Sequence, residues 1–324
     1  MSSPATTTLA SQMLFQNPFI QTGYTETITQ AIDKFNAASG NTITLRTQRK
    51  LGDFDYQAFF KNAGGLVSRQ DQTSVDPALS KQLSQAEIIS VKLNRKIGPV
   101  EWSRAAFLKP GLSMDAIQIA AGEQAAKDVL ADMLNTGIVA GRVAIQNELE
   151  NFVDASTANL DTVGLANGLS KFGDQAERIG AFVMHSKVYY DLVKSQITSA
   201  NGANLAFAVV QSGAPVSLNR PIIVTDSDAL FDGTSYYTLG LTQSAIIVEE
   251  TEEMFMQMMP ITGLEQLVMR MQGEFAYNLG VKGFSYNAAT GGKNPDYATV
   301  SAGANWTKTM TSHKDLAGLV IKSK

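Results

Sequence analysis

The sequence predicts an α+β fold assembled from unlike pieces in series. Three features carry that expectation. Residues 41–110 hold two extended, β-branched and aromatic stretches around a polar, glycine-bearing middle. Residues 113–152 hold the strongest helical periodicity in the chain. From Ile179 onward, short apolar strands alternate with a helix and Pro-containing turns, the texture of a compact α/β unit of about 80 residues, an ordinary domain size. There are no tandem repeats and no coiled-coil heptads.

Taken in order, residues 1–20 are polar and Ser/Thr-rich and are expected to form a flexible arm. In TETITQAIDKFNAASG, Ile28, Ile32 and Phe35 sit at helical spacing and Gly40 is a stop signal. A short surface helix and a partner-binding arm both fit this stretch. ITLRTQRK and DFDYQAFF then lead out, and EIISVKLNRKIGPVEWSRAAFL leads back, with Ile89, Val91 and Leu93 on one face and Ser90, Lys92 and Asn94 on the other. The expectation is a long hairpin with a wide polar tip. It has too little apolar content to bury a core alone, so it must lie on its own body or on a neighbouring subunit.

Ser113 is a suitable N-cap, with Asp115 in the first turn to meet the helix dipole. Ile117, Ala121, Leu130, Leu134, Ile138 and Val143 mark the apolar stripe that follows. Unbroken to about residue 152, the helix would span roughly 58 Å. Gly122, Gly137 and Gly141 weaken it, and a break near Asn135-Thr136-Gly137 into two ordinary helices fits nearly as well. Residues 153–178 read as a mixed connector. IGAFVMH and PIIVTDS read as buried strands, Ser186 as the cap of KVYYDLVKSQI, and SYYTLGL and SAIIVEE as two further strands. After Thr251 the chain is strand-like and methionine-rich, with Leu264, Leu267, Met269 and Met271 in alternating patterns. ATGGKNPDYATVSAG is a loose loop, and HKDLAGLVIKSK ends in a closing strand.

Composition narrows the function classes. The 324 residues exceed one compact core and suit two. Net charge is -4, so a strongly basic DNA-reading face is not implied. No cysteine is present, which excludes disulfide frameworks, thiolate zinc sites and cysteine nucleophiles. The N-terminus lacks the basic and apolar regions of a signal peptide, and no window is long and apolar enough for a membrane span.

The order of these parts, together with LVSRQD, SVKLNRKIGPVEW, GAFVMHSKVYYDL, NRPIIVTDS and NLGVKGFSYN, resembles the Hong Kong 97 fold of tailed-bacteriophage major capsid proteins over about residues 20–320. The resemblance implies an N-arm at 1–44, an E-loop at 45–108, a P-domain with its spine helix at 109–178, an A-domain at 179–250, P-domain return strands at 251–300 and a C-terminal closing segment at 301–324. It further implies homo-pentamers and homo-hexamers forming an icosahedral head around double-stranded DNA, with scaffolding, portal and possibly decoration proteins as partners, assembled in the host bacterial cytoplasm and without a membrane. The charged scaffolding helix that many members carry before the N-arm is not seen here; under the resemblance, either a separate scaffolding protein exists or that segment was never part of this chain. Lys61, Lys92 and Lys96 lie in the hairpin, but no partner asparagine is identifiable and covalent cross-linking is not expected.

Candidate chemistry is sparse. His185 and His313 read as structural, GLSMD as a helix cap rather than a nucleophile elbow, and GGK at 291–293 as a turn, because Asn294 replaces the Ser/Thr of a phosphate loop. Asp226 and Asp228 read as a solvated turn, and EETEE at 249–253 as a solvated acidic face that could meet a neighbour's basic patch. Arg46, Arg49, Lys50, Lys92, Arg95, Lys96 and Arg104 make the hairpin region basic. Arg69, Asp71, Lys92, Arg95, Lys96, Glu101 and Arg104 are the expected intersubunit contacts, setting register more than affinity. No catalytic residue, cofactor or metal is expected. The alternatives are an encapsulin-type nanocompartment shell, which shares the fold, and an unrelated α/β enzyme or solute-binding protein.

Overall fold

The computed structural model describes residues 18–324, except 49, 62–66, 68, 71, 74–76, 78, 79, 81, 83, 104–113, 200–217, 219, 262, 264, 266 and 267. The expected arm at residues 1–20 and the hairpin tip thus lie largely outside the described residues, as do Ser113, Leu264 and Leu267.

The first helix, α1 (Pro18–Ala38), starts earlier than its apolar spacing suggests. It is not a surface helix: Tyr24 and Ile28 are buried in the main core, and α1 packs along the long central helix. Gly40 and Asn41 then take positive φ of 60° and 56°, which turns the chain into strand β1 (Ile43–Thr47). Asn36 protects the free edge of β1. Its side chain donates to the Leu45 carbonyl at 2.7 Å and accepts from the Leu45 amide at 2.9 Å, standing in for a peptide group of a neighbouring strand.

β1 corrects one expectation. ITLRTQRK is not an arm of the hairpin; it pairs in parallel with β8 (Ile246–Ile261), from Ile43↔Ile246 to Thr47↔Glu250. The outgoing arm is the shorter β2 (Phe54–Phe60) alone, and the returning arm is the 19-residue β3 (Gln85–Ser103). The first part of β3 pairs with β2, from Phe60↔Gln85 to Phe54↔Val91. The rest pairs with β9 (Val268–Val281), from Val91↔Leu279 to Ser103↔Val268, with a register shift between Ile97 and Val100. At that shift Gly98 has φ of 75°, and a Cβ there would stand 2.9 Å from the Val100 nitrogen, so only glycine fits. β9 also pairs with β8 along its length, and β10 (Phe284–Tyr286) and β11 (Trp306–Lys308) complete a seven-stranded sheet.

Against this sheet lies α2 (Met114–Gln146), one unbroken 33-residue helix, about 50 Å long. It ends at Gln146 rather than near 152, because Phe152–Ala155 is needed as strand β4. Gly137 and Gly141 do not break it. They let it approach β8: a Cβ on Gly137 would meet Ile246 at 3.1 Å, and one on Gly141 would meet it at 2.6 Å. No described helix is long and apolar enough to cross a membrane.

The second sheet has the order β4–β12–β7–β5–β6, with β5 (Ile179–Met184), β6 (Ile222–Val224), β7 (Tyr236–Thr242) and β12 (Gly318–Ser323). The expected closing strand is thus interior, parallel to β4 and antiparallel to β7. The presumed connector at 153–178 carries structure: the rest of β4, and α3 (Thr162–Ser170), capped by Asp161 accepting from the Gly164 amide at 2.7 Å. β6 is a half-buried edge strand rather than a buried one. Helix α4 (Ser186–Ser199) is capped from His185, not Ser186, since His185 Nδ1 accepts from the Lys187 amide at 3.1 Å. A second core of Leu165, Phe172, Phe182, Leu192, Leu319 and Ile321 lies under α3 and α4.

The α2–β8 contact makes a stability prediction. Gly141→Val overfills it and lowers unfolding free energy by about 2 kcal/mol in urea titration. Adding Ile246→Val recovers part of that loss; equal losses in the single and double variants would show that the contact is not the cause.

Candidate assembly interface

The limb formed by β2 and the first part of β3 stands on the rest of the chain at its base, where Phe54 stacks on Tyr286 and the Ile89 amide donates to Ser285 Oγ at 3.0 Å. Val91 and Leu93 are fully buried where β3 meets β9, but no residue of β2 is buried. Leu51, Tyr56, Phe60 and Val67 expose 88%, 59%, 66% and 94% of their surface. Beyond the limb, β3, β9 and β8 continue as a three-stranded ribbon. Its inner face is apolar, with Met254, Met256, Met271 and Phe275 buried. Its outer face carries Phe255 and Met259, each about half exposed, beside Gln257, Lys96, Arg270 and Glu274, which line a groove of about 670 Å³.

The expected contact residues fall in different places. Lys92 reaches Glu252 at 2.5 Å across the ribbon. Arg95 pairs with Asp132 of α2 at 3.2 Å, and the Tyr277 hydroxyl donates to the same carboxylate at 2.8 Å. Burial, reinforced by the Asp132 charge, pushes the Tyr277 phenol well above its ordinary value. Glu101 accepts from Arg270 Nε at 2.6 Å on the ribbon's outer face. Lys96 is exposed opposite Glu274 and forms no ion pair with a described residue. Arg69 is exposed, and Asp71 and Arg104 lie outside the described residues.

Of the acidic run at 249–253, the first two carboxylates are not a solvated face, while Glu252 is exposed. Glu249 and Glu250 are buried at the foot of the ribbon. Arg46 Nε reaches Glu249 at 2.6 Å and Lys50 reaches it at 2.5 Å, while Asn278 donates at 3.3 Å. Lys50 also pairs with Asp55. Tyr24 and Thr47 donate to Glu250 at 3.0 Å and 3.3 Å. Arg46 and Lys50 are therefore spent inside the chain, binding the base of the limb to the sheet. Burial alone would raise the Glu249 pKa; the hydrogen bonds from Lys50 and Arg46 and the Lys50 charge outweigh it and hold the carboxyl below its ordinary range. A carboxylate run at the end of an apolar strand, with cations in the preceding parallel strand, is the only sequence signal for this cluster.

The remaining candidates are structural. His185 lies 3.8 Å from Asp226, and Asp228 opens a short 3-10 turn. His313 sits between Glu150, 3.0 Å from Nδ1, and the Lys171 carbonyl, 3.1 Å from Nε2. The GGK turn fastens the ribbon instead of a phosphate: Lys293 pairs with Asp53 at 2.8 Å, and Asn294 Oδ1 accepts from the Asn94 amide at 2.8 Å. Asp232, unmarked in the sequence, accepts from Tyr237, Thr234 and Ser235. Against a burial penalty, these bonds hold it far below the carboxylate range. Among the described residues no cluster of three or more metal-ligating side chains occurs.

The depressed Glu249 pKa fixes the sign of an acid effect. Its stabilisation is complete above the unfolded-state carboxyl pKa of about 4.3 and is lost as pH falls through the lower folded value. Glu249→Gln should cost about 2 kcal/mol at neutral pH and flatten the loss of stability below about pH 4.5, read by urea titration across pH. An unchanged acid limb in the variant would remove Glu249 from the effect.

The family model of the Gp13-like major capsid proteins, described as major capsid protein 13-like, matches residues 12–320. No curated protein matches the chain. Among solved structures, one from Microbacterium phage Oxtober96 shares 10% identity, covering 89% of this chain and 91% of that one at a TM-score of 0.55. The Cyanophage Pam1 capsid asymmetric unit shares 8%, covering 87% and 88% at 0.51. The capsid of Ralstonia phage GP4 shares 11%, covering 87% and 86% at 0.50. At such identities these likenesses speak to the fold, which is the Hong Kong 97-like capsid fold expected from the order of its parts. With the family model spanning nearly all of it, the chain belongs to the Gp13-like family of tailed-phage major capsid proteins.

Proposed function

We propose that copies of this capsid protein close into pentamers and hexamers, that the limb of each copy lies across its neighbour, and that the resulting icosahedral head encloses double-stranded DNA held without sequence preference. The observation that carries the reading is the limb itself. Tyr56 and Phe60 towards its tip are open, its own chain covers it only at the base, around Phe54, Val91 and Leu93, and a neighbouring copy is the body available in a shell. In this reading residues 1–44 serve as the N-arm, 45–108 as the E-loop, 109–178 and 251–300 as the P-domain, 179–250 as the A-domain and 301–324 as the closing segment. β8 runs through residue 250, so A-domain and P-domain share a strand.

The role is structural rather than enzymatic, as the capsid family supports. Arg69, Asp71, Lys96 and Arg104 serve as intersubunit contacts. Lys92, Arg95 and Glu101, each paired within the chain, serve by holding the ribbon in shape for that contact. Scaffolding and portal proteins, and possibly decoration proteins, complete a head assembled in the bacterial cytoplasm.

The test shortens the limb without touching its base. Lys61 and Ser84 remain backbone-paired at 2.8 Å, so an Asn-Gly turn replacing residues 62–83 keeps the hairpin register. The variant should melt within about 3 °C of the full chain, because every described residue that it removes is exposed. It should form no closed shells by sedimentation and negative-stain imaging under conditions where the full chain does. Shells of normal size from the shortened chain would refute the limb's role; a full chain that stays monomeric would refute the assembly reading.

A further inference from the structure

We propose that the limb of one copy seats its Tyr56–Phe60 face in the Phe255–Met259 groove on a second copy's ribbon, with Glu87 of the limb meeting Lys96 of the groove. This contact rests on the assembly read above and goes beyond it by naming the surface that receives the limb. Strand alternation puts Phe54, Tyr56, Ala58 and Phe60 on one face of β2, and the pairing Ala58↔Glu87 puts Glu87 on the same face. The rings of Phe54 and Tyr56 meet edge to face on that side, 6.4 Å apart. Phe54 is covered by Tyr286 of its own chain. Tyr56 and Phe60 continue the same row beyond that cover, and both are exposed. The groove repeats the spacing of the row: Phe255 and Met259 also stand four residues apart on one strand, about 13 Å, with Gln257 between them. Strand faces of equal spacing stack as the inner faces of packed sheets do.

Charge selects the partner. Lys96 lines the groove beside Phe255. Its cross-strand neighbour Glu274 forms no ion pair with it, and the nearby Arg270 is held by Glu101, so among the described residues Lys96 is the free cation of the groove. Glu87 is the carboxylate on the open face of the limb; it is exposed and forms no ion pair with a described residue. The two lie nine residues apart on the same extended strand, β3, or about 30 Å, so they cannot meet within one chain. Between two copies they can, and complementary charge of this kind fixes register and excludes wrong partners. Each copy then gives one limb and receives one. Such a head-to-tail contact builds rings rather than two-fold dimers.

The chain has no cysteine, so a Glu87→Cys/Lys96→Cys variant carries that pair alone. Treated with a short bismaleimide after assembly, it should give a ladder of joined copies longer than the dimer on a denaturing gel, and either cysteine by itself should give none. Charge reversal supplies a second readout. Glu87→Lys and Lys96→Glu should each lower the yield of closed particles about tenfold. Both positions are exposed, so neither change should move the melting midpoint of the free chain. The two reversals together should restore the yield. A full chain that stays monomeric fails the assembly reading and this contact with it. Where the full chain does form particles, the contact alone is overturned by any of four results: no ladder, a ladder that stops at the dimer, single reversals that assemble normally, or a double reversal that stays blocked. So does Lys96→Cys joining a different protein in whole phage heads, which would give the groove another occupant.

Discussion

Strand β9 is the member on which the large sheet depends. It is hydrogen-bonded on both edges, to β3 on one side and β8 on the other, so Leu279 has both Val91 and Val248 as cross-strand partners. One of these partners is close in sequence and the other nearly two hundred residues away. Closing so long a loop costs little more than closing a moderate one, because the entropy grows only with the logarithm of length. What the distant pairing gains is the burial of Val91, Leu93, Tyr277 and Leu279 together against α2. The limb has smaller anchors at its base, Lys50 on Asp55 and Lys293 on Asp53. It is held further because β3 is continuous from limb into ribbon, so the same strand that is half bare at one end is fully buried in its middle.

Charge finishes what the strand begins. The first strand and the segment after it bring Arg46 and Lys50 over Glu249, and Tyr24 of α1 over Glu250, at the point where limb, ribbon and helix meet. Carboxylates so deeply placed are tolerable only when each finds donors, and here the donors come from elements far apart in sequence. The cluster therefore acts as a check on tertiary arrangement: it is satisfied only when β1, β8 and α1 are all in place.

Much of this was legible in the residues. The long helix, the α/β texture after Ile179, the return strands and the final strand followed from periodicity and turn chemistry, and their order identified the fold. Where reading failed, long-range pairing was the cause. ITLRTQRK has the look of a hairpin arm, and only β8, two hundred residues on, makes it a parallel sheet strand. The glycines of α2 look like helix breakers until Ile246 is seen to need their space. EETEE looks solvated because nothing nearby in sequence neutralises it. Phe152–Ala155 is too short to show a period and exists as a strand because β12 pairs with it. The contact residues were least legible, since a basic hairpin does not say whether its charges are met at home or abroad.

The position of β12 has a consequence for synthesis. Residues 318–323 lie inside the second sheet, between β4 and β7, and a Cβ on Gly318 would overlap the Gly240 carbonyl. The nascent chain can form α2 and much of the large sheet while still on the ribosome. It cannot close the second sheet until this segment has cleared the exit tunnel. Until then the second sheet lacks the strand that joins β4 to β7.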